Sequence, residues 1–278
     1  MRTAMNPVRA VRATVNNLFA SGAGLIAVVP IYLVLANALK TAADAASMNA
    51  EPPRDLQWGN IGAVIDQGNL GTAFFNSVLY SFGSMILAVL LAALAAYALA
   101  RHRSRRHEII YFLLIMGIAV PTNFVTLTKV MQLTHLIDTQ IGIILVYAAT
   151  QIPFDVLLIY AFVDSVPREL DEAAFIDGCS PIRTFFSIIL PMLTPVLVTC
   201  GVLNILNVWN EFVTPLYLLS TSDNWPMTLS VYNFFGLYES NWAYISADVV
   251  LTILPVILIY VVAQRWILSG TFSGAVKG

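Results

Sequence analysis

Residues 74–100 read FFNSVLYSFGSMILAVLLAALAAYALA, without a single charged side chain. A helix crosses the roughly 30 Å hydrocarbon core of a bilayer with about 20 apolar residues, and this stretch exceeds that length. The whole chain has the same character. Of its 278 residues 58% are hydrophobic and 11% charged, and its mean hydropathy is +0.77. Those values lie outside the range of ordinary soluble domains and identify an integral membrane protein.

Five further stretches read in the same way, giving six predicted spans at 20–39, 74–100, 108–131, 141–163, 186–219 and 243–268. The fifth carries Pro191 and Pro195 near its start, which predicts an interfacial helix turning into the bilayer there. The expected fold is therefore an all-α integral membrane protein with six transmembrane helices and a cytoplasmic helix-turn-helix. Residues 1–19 form an N-terminal segment, 20–268 the spanning domain and 269–278 a tail.

Lys and Arg set orientation. With the N-terminus inside, the inner segments hold Arg2, Arg9, Arg12, Arg101, Arg103, Arg105, Arg106, Arg168, Arg183, Arg265 and Lys277. The outer segments hold only Lys40, Arg54 and Lys129. Both termini, and the loop at 165–190, are thus expected in the cytoplasm of a multi-pass cell-membrane protein. The basic start, the apolar stretch and Ala36-Asn37-Ala38 also fit a cleavable signal peptide. The long region ahead of that stretch favours an uncleaved first helix.

Stretch 40–72, with Pro52-Pro53 and several glycines, reads as an external loop carrying a short helix around Trp58 and Ile61. A second external loop, 220–242, has Trp225, Tyr238 and Trp242 but no Lys or Arg, and its aromatics suit a headgroup-level belt. Cys179 and Cys200 have no metal-ligand spacing, and no metal or catalytic site is expected. The net charge of −2 says nothing about a nucleic-acid or membrane-surface role, and no nucleic-acid partner is expected.

The central polar interruption is Glu172-Ala173-Ala174-Phe175-Ile176-Asp177-Gly178, then Ser180-Pro181 and Ile188-Ile189-Leu190-Pro191. Ser165-Val166-Pro167 supplies a capping hydroxyl and a proline suited to a first helical turn, which predicts a helix start there. Glu169, Asp171 and Glu172 fall in its first turns, where the helix dipole favours negative charge. Gly178 suits the left-handed residue that ends a helix, and Ser180-Pro181 repeats the start signal. Two short helices outside the membrane follow.

The spacing Glu-Ala-Ala, three residues, Gly, nine residues, Ile, any residue, Leu-Pro is met at Glu172-Ala173-Ala174, Gly178, Ile188 and Leu190-Pro191. It resembles the signature loop of the membrane subunits of binding-protein-dependent ABC importers, and wider features resemble the carbohydrate branch, close to the maltose-type second permease. These are Asn76-Ser77, Ala95-Ala96-Tyr97-Ala98-Leu99-Ala100-Arg101, Trp209-Asn210-Glu211-Phe212, Ala263-Gln264-Arg265-Trp266 and the glycine-containing ending. The resemblance implies a coupling helix docking into a cytoplasmic ATPase, with Glu169, Glu172, Ala173, Ala174, Asp177, Gly178, Pro181, Leu190 and Pro191 as coupling residues. It further implies paired ABC ATPase subunits, a second permease subunit, an external solute-binding protein and lipid as partners. No Gly-x-x-x-x-Gly-Lys-Ser/Thr stretch exists in the chain, so ATP would be used by the partners and no cofactor bound directly.

Asp155 and Asp248 depart from that pattern, and because an ionisable group within a span is costly each is expected either on the solute path or near the interface as a hydrogen-bonded carboxylate. Asn204, Asn207 and Glu211 recur at spacings of three and four and so share one helical face. With Trp209, Asn210 and Tyr217 they are candidates to line a solute path, against interhelical hydrogen bonding as the plainer role. Other classes stay open. An ion-coupled secondary carrier would show inverted repeats, which are absent, and an ABC permease for a solute other than sugar fits the same loop.

Overall fold

The computed structural model describes residues 7–102, 104–236 and 240–275. Helices dominate: α1 (Pro7–Ala38), α2 (Ala42–Ala45), α3 (Gly59–Gln67), α4 (Leu70–Arg101), α5 (Arg105–Met116), α6 (Phe124–Leu133) and α7 (Gln140–Ser165) come first. They are followed by α8 (Glu169–Ile176), α9 (Pro181–Thr184), a π-helical turn at Phe185–Ile189, α10 (Leu190–Met192), α11 (Thr194–Asn210) and α12 (Val213–Leu218). Two short 3₁₀ turns flank α13 (Met227–Ser230), and α14 (Trp242–Ala275) closes the chain. Contacts divide it into two units, Met1–Asn69 with Val231–Ile253 and Leu70–Ser230 with Leu254–Gly278.

Among the described residues, four helices are long and apolar enough to cross a membrane: Asn16–Ala38, Leu70–Arg101, Gln140–Ser165 and Trp242–Gln264. A fifth crossing results if Pro181–Met192 and Thr194–Asn210 count as one span bent by 77°. The bend falls where Pro191 and Pro195 remove backbone donors, as their positions predict. The expected continuous span at 108–131 is instead two short helices. Pro121 lies in the break, and Asn123 starts a new helix by accepting the Thr126 N–H at 3.0 Å.

In the first unit, the short helix expected near Trp58 and Ile61 is α3. Lys40, just beyond α1, is buried at 3% exposure. Its Nζ donates to Asn37 Oδ1 at 3.0 Å and to both the side chain and backbone oxygens of Asn49. A cation at a helix C-terminus is favoured by the dipole, so this lysine ties the turn at 47–51 to the end of α1.

The second unit is organised by α4 and α7. Ala88, Ala92, Ala96 and Ala100 follow one another at every fourth residue of α4, and each is fully buried. Such small side chains let Val156, Ile159 and Val163 of α7 come close and form one core with Phe185, Ile189 and Leu193. At the start of α7 a Cβ on Gly142 would overlap the Leu136 carbonyl oxygen, so glycine is required there. Trp225 packs on the cluster of Tyr80, Val208 and Leu218 and does not sit in an outward belt. Tyr238, Arg103, the side chains of 265–275 and residues 276–278 lie outside what the structure describes.

Candidate functional site

Between α7 and α11 the chain forms the expected pair of short helices. The first begins later than the capping pattern suggests. Ser165 belongs to α7, and its Oγ donates back to the Phe162 carbonyl at 2.6 Å. Pro167 disfavours helical geometry in the residue before it, so Val166 is extended (φ −77°, ψ 127°). Helix α8 starts at Glu169, and the Asp171 and Glu172 N–H groups donate to the Arg168 carbonyl.

Its end follows the sequence signal closely. Gly178 has φ +76°, its N–H donates to Phe175 O at 3.0 Å, and the Cys179 N–H donates to Ala174 O at 2.9 Å. This pair of bonds is a Schellman stop, whose left-handed residue glycine adopts without the usual Cβ penalty. Ser180 then caps α9, its Oγ accepting from Arg183 N, with Pro181 in the first helical position.

Ala174 is buried, whereas Glu169, Glu172, Ala173, Asp177, Gly178, Pro181 and Pro191 are exposed and Leu190 is half-buried. Three large apolar residues also face outward: Phe175 at 78%, Ile176 at 84% and Ile182 at 73% exposure. They are grouped on one short hairpin.

Behind the hairpin lies a cleft of about 290 Å³, bordered by Tyr97, Arg101, Arg168, Asp171, Phe175 and Cys179. Arg101 Nη2 lies 2.9 Å from Asp171 Oδ2. Its Nη1 donates to the carbonyls of Val163 and Val166, and the Tyr97 hydroxyl donates to Asp171 Oδ1. Arg168 donates in turn to the Ala100 carbonyl at 3.2 Å.

The polar residues of the expected solute path do not form one face. Asn204 is buried and donates to Asp155 Oδ2 at 2.7 Å, bridging α11 to the fully buried Asp155 of α7. Asn207 and Asn210 are exposed. Glu211 lies past the end of α11 and accepts the N–H groups of Val213 and Thr214, capping α12. The helix ends before the spacing can carry all three residues round together. Trp209 is buried edge-on to Phe74, and Tyr217 stacks on Phe124 at 4.9 Å. Asp248 is buried in the other unit.

A second polar assembly escaped the sequence reading. Asn76 Nδ2 donates to the carbonyls of Asp223 and Trp225, and its Oδ1 accepts from Gln140. Ser77 Oγ accepts the Met227 N–H, and the Tyr80 hydroxyl donates to Asn224 O. Asp138, at φ +56°, accepts from the Ser220 and Thr221 N–H groups, Thr221 Oγ1 and Asn224. Partial burial pushes the Asp138 carboxyl up, but these donors outweigh it and hold the pKa below its ordinary value. The Asn-Ser pair noted in sequence thus fastens a strap at residues 219–227.

Residues 86–272 match the family described as the binding-protein-dependent transport system inner membrane component. The chain belongs to that family. As a member it is a transport component and a multi-pass membrane protein. It is 36% identical over 91% of its length to a putative ABC transporter permease of a Caldicellulosiruptor species, covering 93% of that protein. It is 32% identical to the diacetylchitobiose uptake system permease of Streptomyces coelicolor, over 91% of this chain and 85% of the other. Its fold resembles a chain in the crystal structure of a bacterial ABC transporter that imports the acidic polysaccharide alginate. That match has a TM-score of 0.81 at 20% identity and covers 95% and 99% of the two chains.

Proposed function

We propose that this chain is one permease subunit of an ATP-driven importer for a sugar or oligosaccharide. The outward-facing Phe175, Ile176 and Ile182 on a well-capped hairpin carry the reading, because they offer a cytoplasmic ATPase an apolar surface on a short rigid element. Glu169, Glu172, Ala173, Ala174, Asp177, Gly178 and Pro181 form or shape that surface, and Leu190 and Pro191 lead from it into the bent span. The diacetylchitobiose relative and the alginate importer support a carbohydrate cargo.

In this reading α5 and α6 together make a broken third crossing, so the spans number six and both termini are cytoplasmic. Residues 1–19 and 269–278 flank the spanning domain at 20–268. A second permease completes the pathway, an external binding protein delivers solute, and two ATPase subunits bind and hydrolyse ATP. Closure of the ATPases moves the hairpin as a lever and shifts the spans between outward- and inward-open states, by an amount limited to the differential affinity of nucleotide for the two. Asn207 and Asn210 are exposed and available to solute, whereas Asp155, Asn204, Trp209, Glu211 and Asp248 support the helices around it.

Co-purification with an ATPase and a second permease is expected, as is ATP-dependent solute uptake by the reconstituted assembly. Replacing Glu172 and Gly178 together should abolish uptake while the subunit still inserts. Solute uptake by this chain alone in ATP-free vesicles would overturn the proposal in favour of a secondary carrier.

A further inference from the structure

Helix α8 has little apolar anchorage. Ala174 is its one buried residue, and Leu170 is half-buried against the core. A helix of eight residues is far too short to be stable alone, and it is joined to α7 by the extended Val166, which is buried in the core, and by Pro167. Polar contacts fix its angle. Tyr97 and Arg101 lie one turn apart on the same face of α4, and between them they engage both carboxylate oxygens of Asp171. The same guanidinium donates to the Val166 carbonyl, just past the end of α7, and to the Val163 carbonyl, which also accepts the Val166 N–H. Arg168 returns the contact by donating to Ala100 near the end of α4.

We propose that Tyr97, Arg101 and Asp171 are positioning residues for transport: a clamp that makes α8 move as one body with the ends of α4 and α7. The inference rests on the permease reading above and adds the link through which a push on α8 reaches two spans. A charge pair at 9% and 21% side-chain exposure is a poor choice if adhesion alone is needed, since apolar packing of similar volume often holds as well or better. The charged geometry adds a defined direction. The guanidinium is held by two carbonyl acceptors and lies against the carboxylate, which the Tyr97 hydroxyl orients from its other oxygen, and together these contacts restrict how α8 sits relative to α4 and α7. Without them the Val166-Pro167 link can swing, and the stroke of the ATPase is absorbed there.

The test uses the complete assembly in liposomes and reads solute taken up per ATP hydrolysed. Asp171→Asn keeps the shape and removes the charge. It should lower that ratio by roughly fivefold or more, within the range found for residues along coupling networks, while the yield of assembled complex is unchanged. Asp171→Glu should retain most of the ratio, and Tyr97→Phe should lower it less than Asp171→Asn. An unaltered ratio in Asp171→Asn overturns the clamp, and so does an equal fall in Asp171→Glu. If Asp171→Asn fails to assemble, Tyr97→Phe decides by the same criterion. Hydrogen exchange of the α8 amides is measured in parallel. Faster exchange at 171–176 in the variants supports the clamp, and unchanged exchange overturns it. If the unmodified assembly shows no ATP-driven uptake, the transport reading fails by itself, and exchange alone then judges the clamp.

Discussion

The two ends of α4 hold their neighbouring loops by different means. At its N-terminal end Asn76, Ser77 and Tyr80 grip the backbone of the 219–227 strap, Asp138 grips it again from the loop before α7, and Met227 and Leu229 are buried. About 32 Å further along the axis, Tyr97 and Arg101 hold α8 through one carboxylate, while Phe175 and Ile176 point outward. One end is closed over by its own loop, and the other presents a lightly tethered helix with its apolar residues on offer. Local stability follows that difference, since a region with few buried contacts opens independently of the whole. In the proposed permease the first end is a rigid frame and the second is the surface offered to the ATPase.

The contrast can be broken first at Asn76. Asn76→Ala leaves two strap carbonyls and the Gln140 amide without their partner, and at 1–3 kcal/mol for each unsatisfied buried group the loss should be about 3 kcal/mol. Thermal unfolding in detergent reads it as a lowered Tm, and a loss below about 1 kcal/mol would show that the strap is held by other means. Gly178→Ala comes next. A Cβ at Gly178 meets no neighbour, so the cost is the left-handed backbone alone, roughly 1–2 kcal/mol. That cost should stay local, with faster hydrogen exchange in α8 and a Tm close to the original, and a large fall in Tm would erase the distinction between the ends.

Acid acts on the strap end more gently. The Asp138 pKa is held down in the folded protein, so its contribution is fully present above the unfolded carboxylate value of about 3.9 and disappears as pH falls through the lower folded value. Stability should therefore decline in that acidic window, and Asp138→Asn should flatten the decline. Asn207→Ala is expected to be the mildest change. An exposed side chain should alter stability by less than about 0.5 kcal/mol, so any change in solute preference in uptake assays reports on the pathway and not on folding.

Legibility from sequence followed distance along the chain. Gly178 and Ser180-Pro181 act through partners within five residues, and their reading matches the observed stop and cap. Ser165 carries an equally good capping signal, yet α7 runs through it and its hydroxyl turns back to Phe162. The pattern could not say which of two adjoining helices would claim it. Within 108–131, Pro121 and the capping Asn123 carry a local break signal that overrides the continuous hydrophobicity. Asn76 and Asp138 were beyond reach, because the strap atoms they hold lie 149 and 82 residues away.

Membrane residence, helical character and the punctuation of the α8–α9 hairpin follow from composition and from neighbours within a turn or two, where backbone chemistry has few alternatives. Packing alone chose the partners of the polar side chains. It gave Asp155 to Asn204, made Glu211 a helix cap, set Asp171 against Arg101 and Tyr97, and left Phe175 and Ile176 uncovered. A buried polar group takes whichever donor or acceptor the neighbouring helix brings within 3 Å, and that neighbour is set by how α4, α7 and α11 lie together.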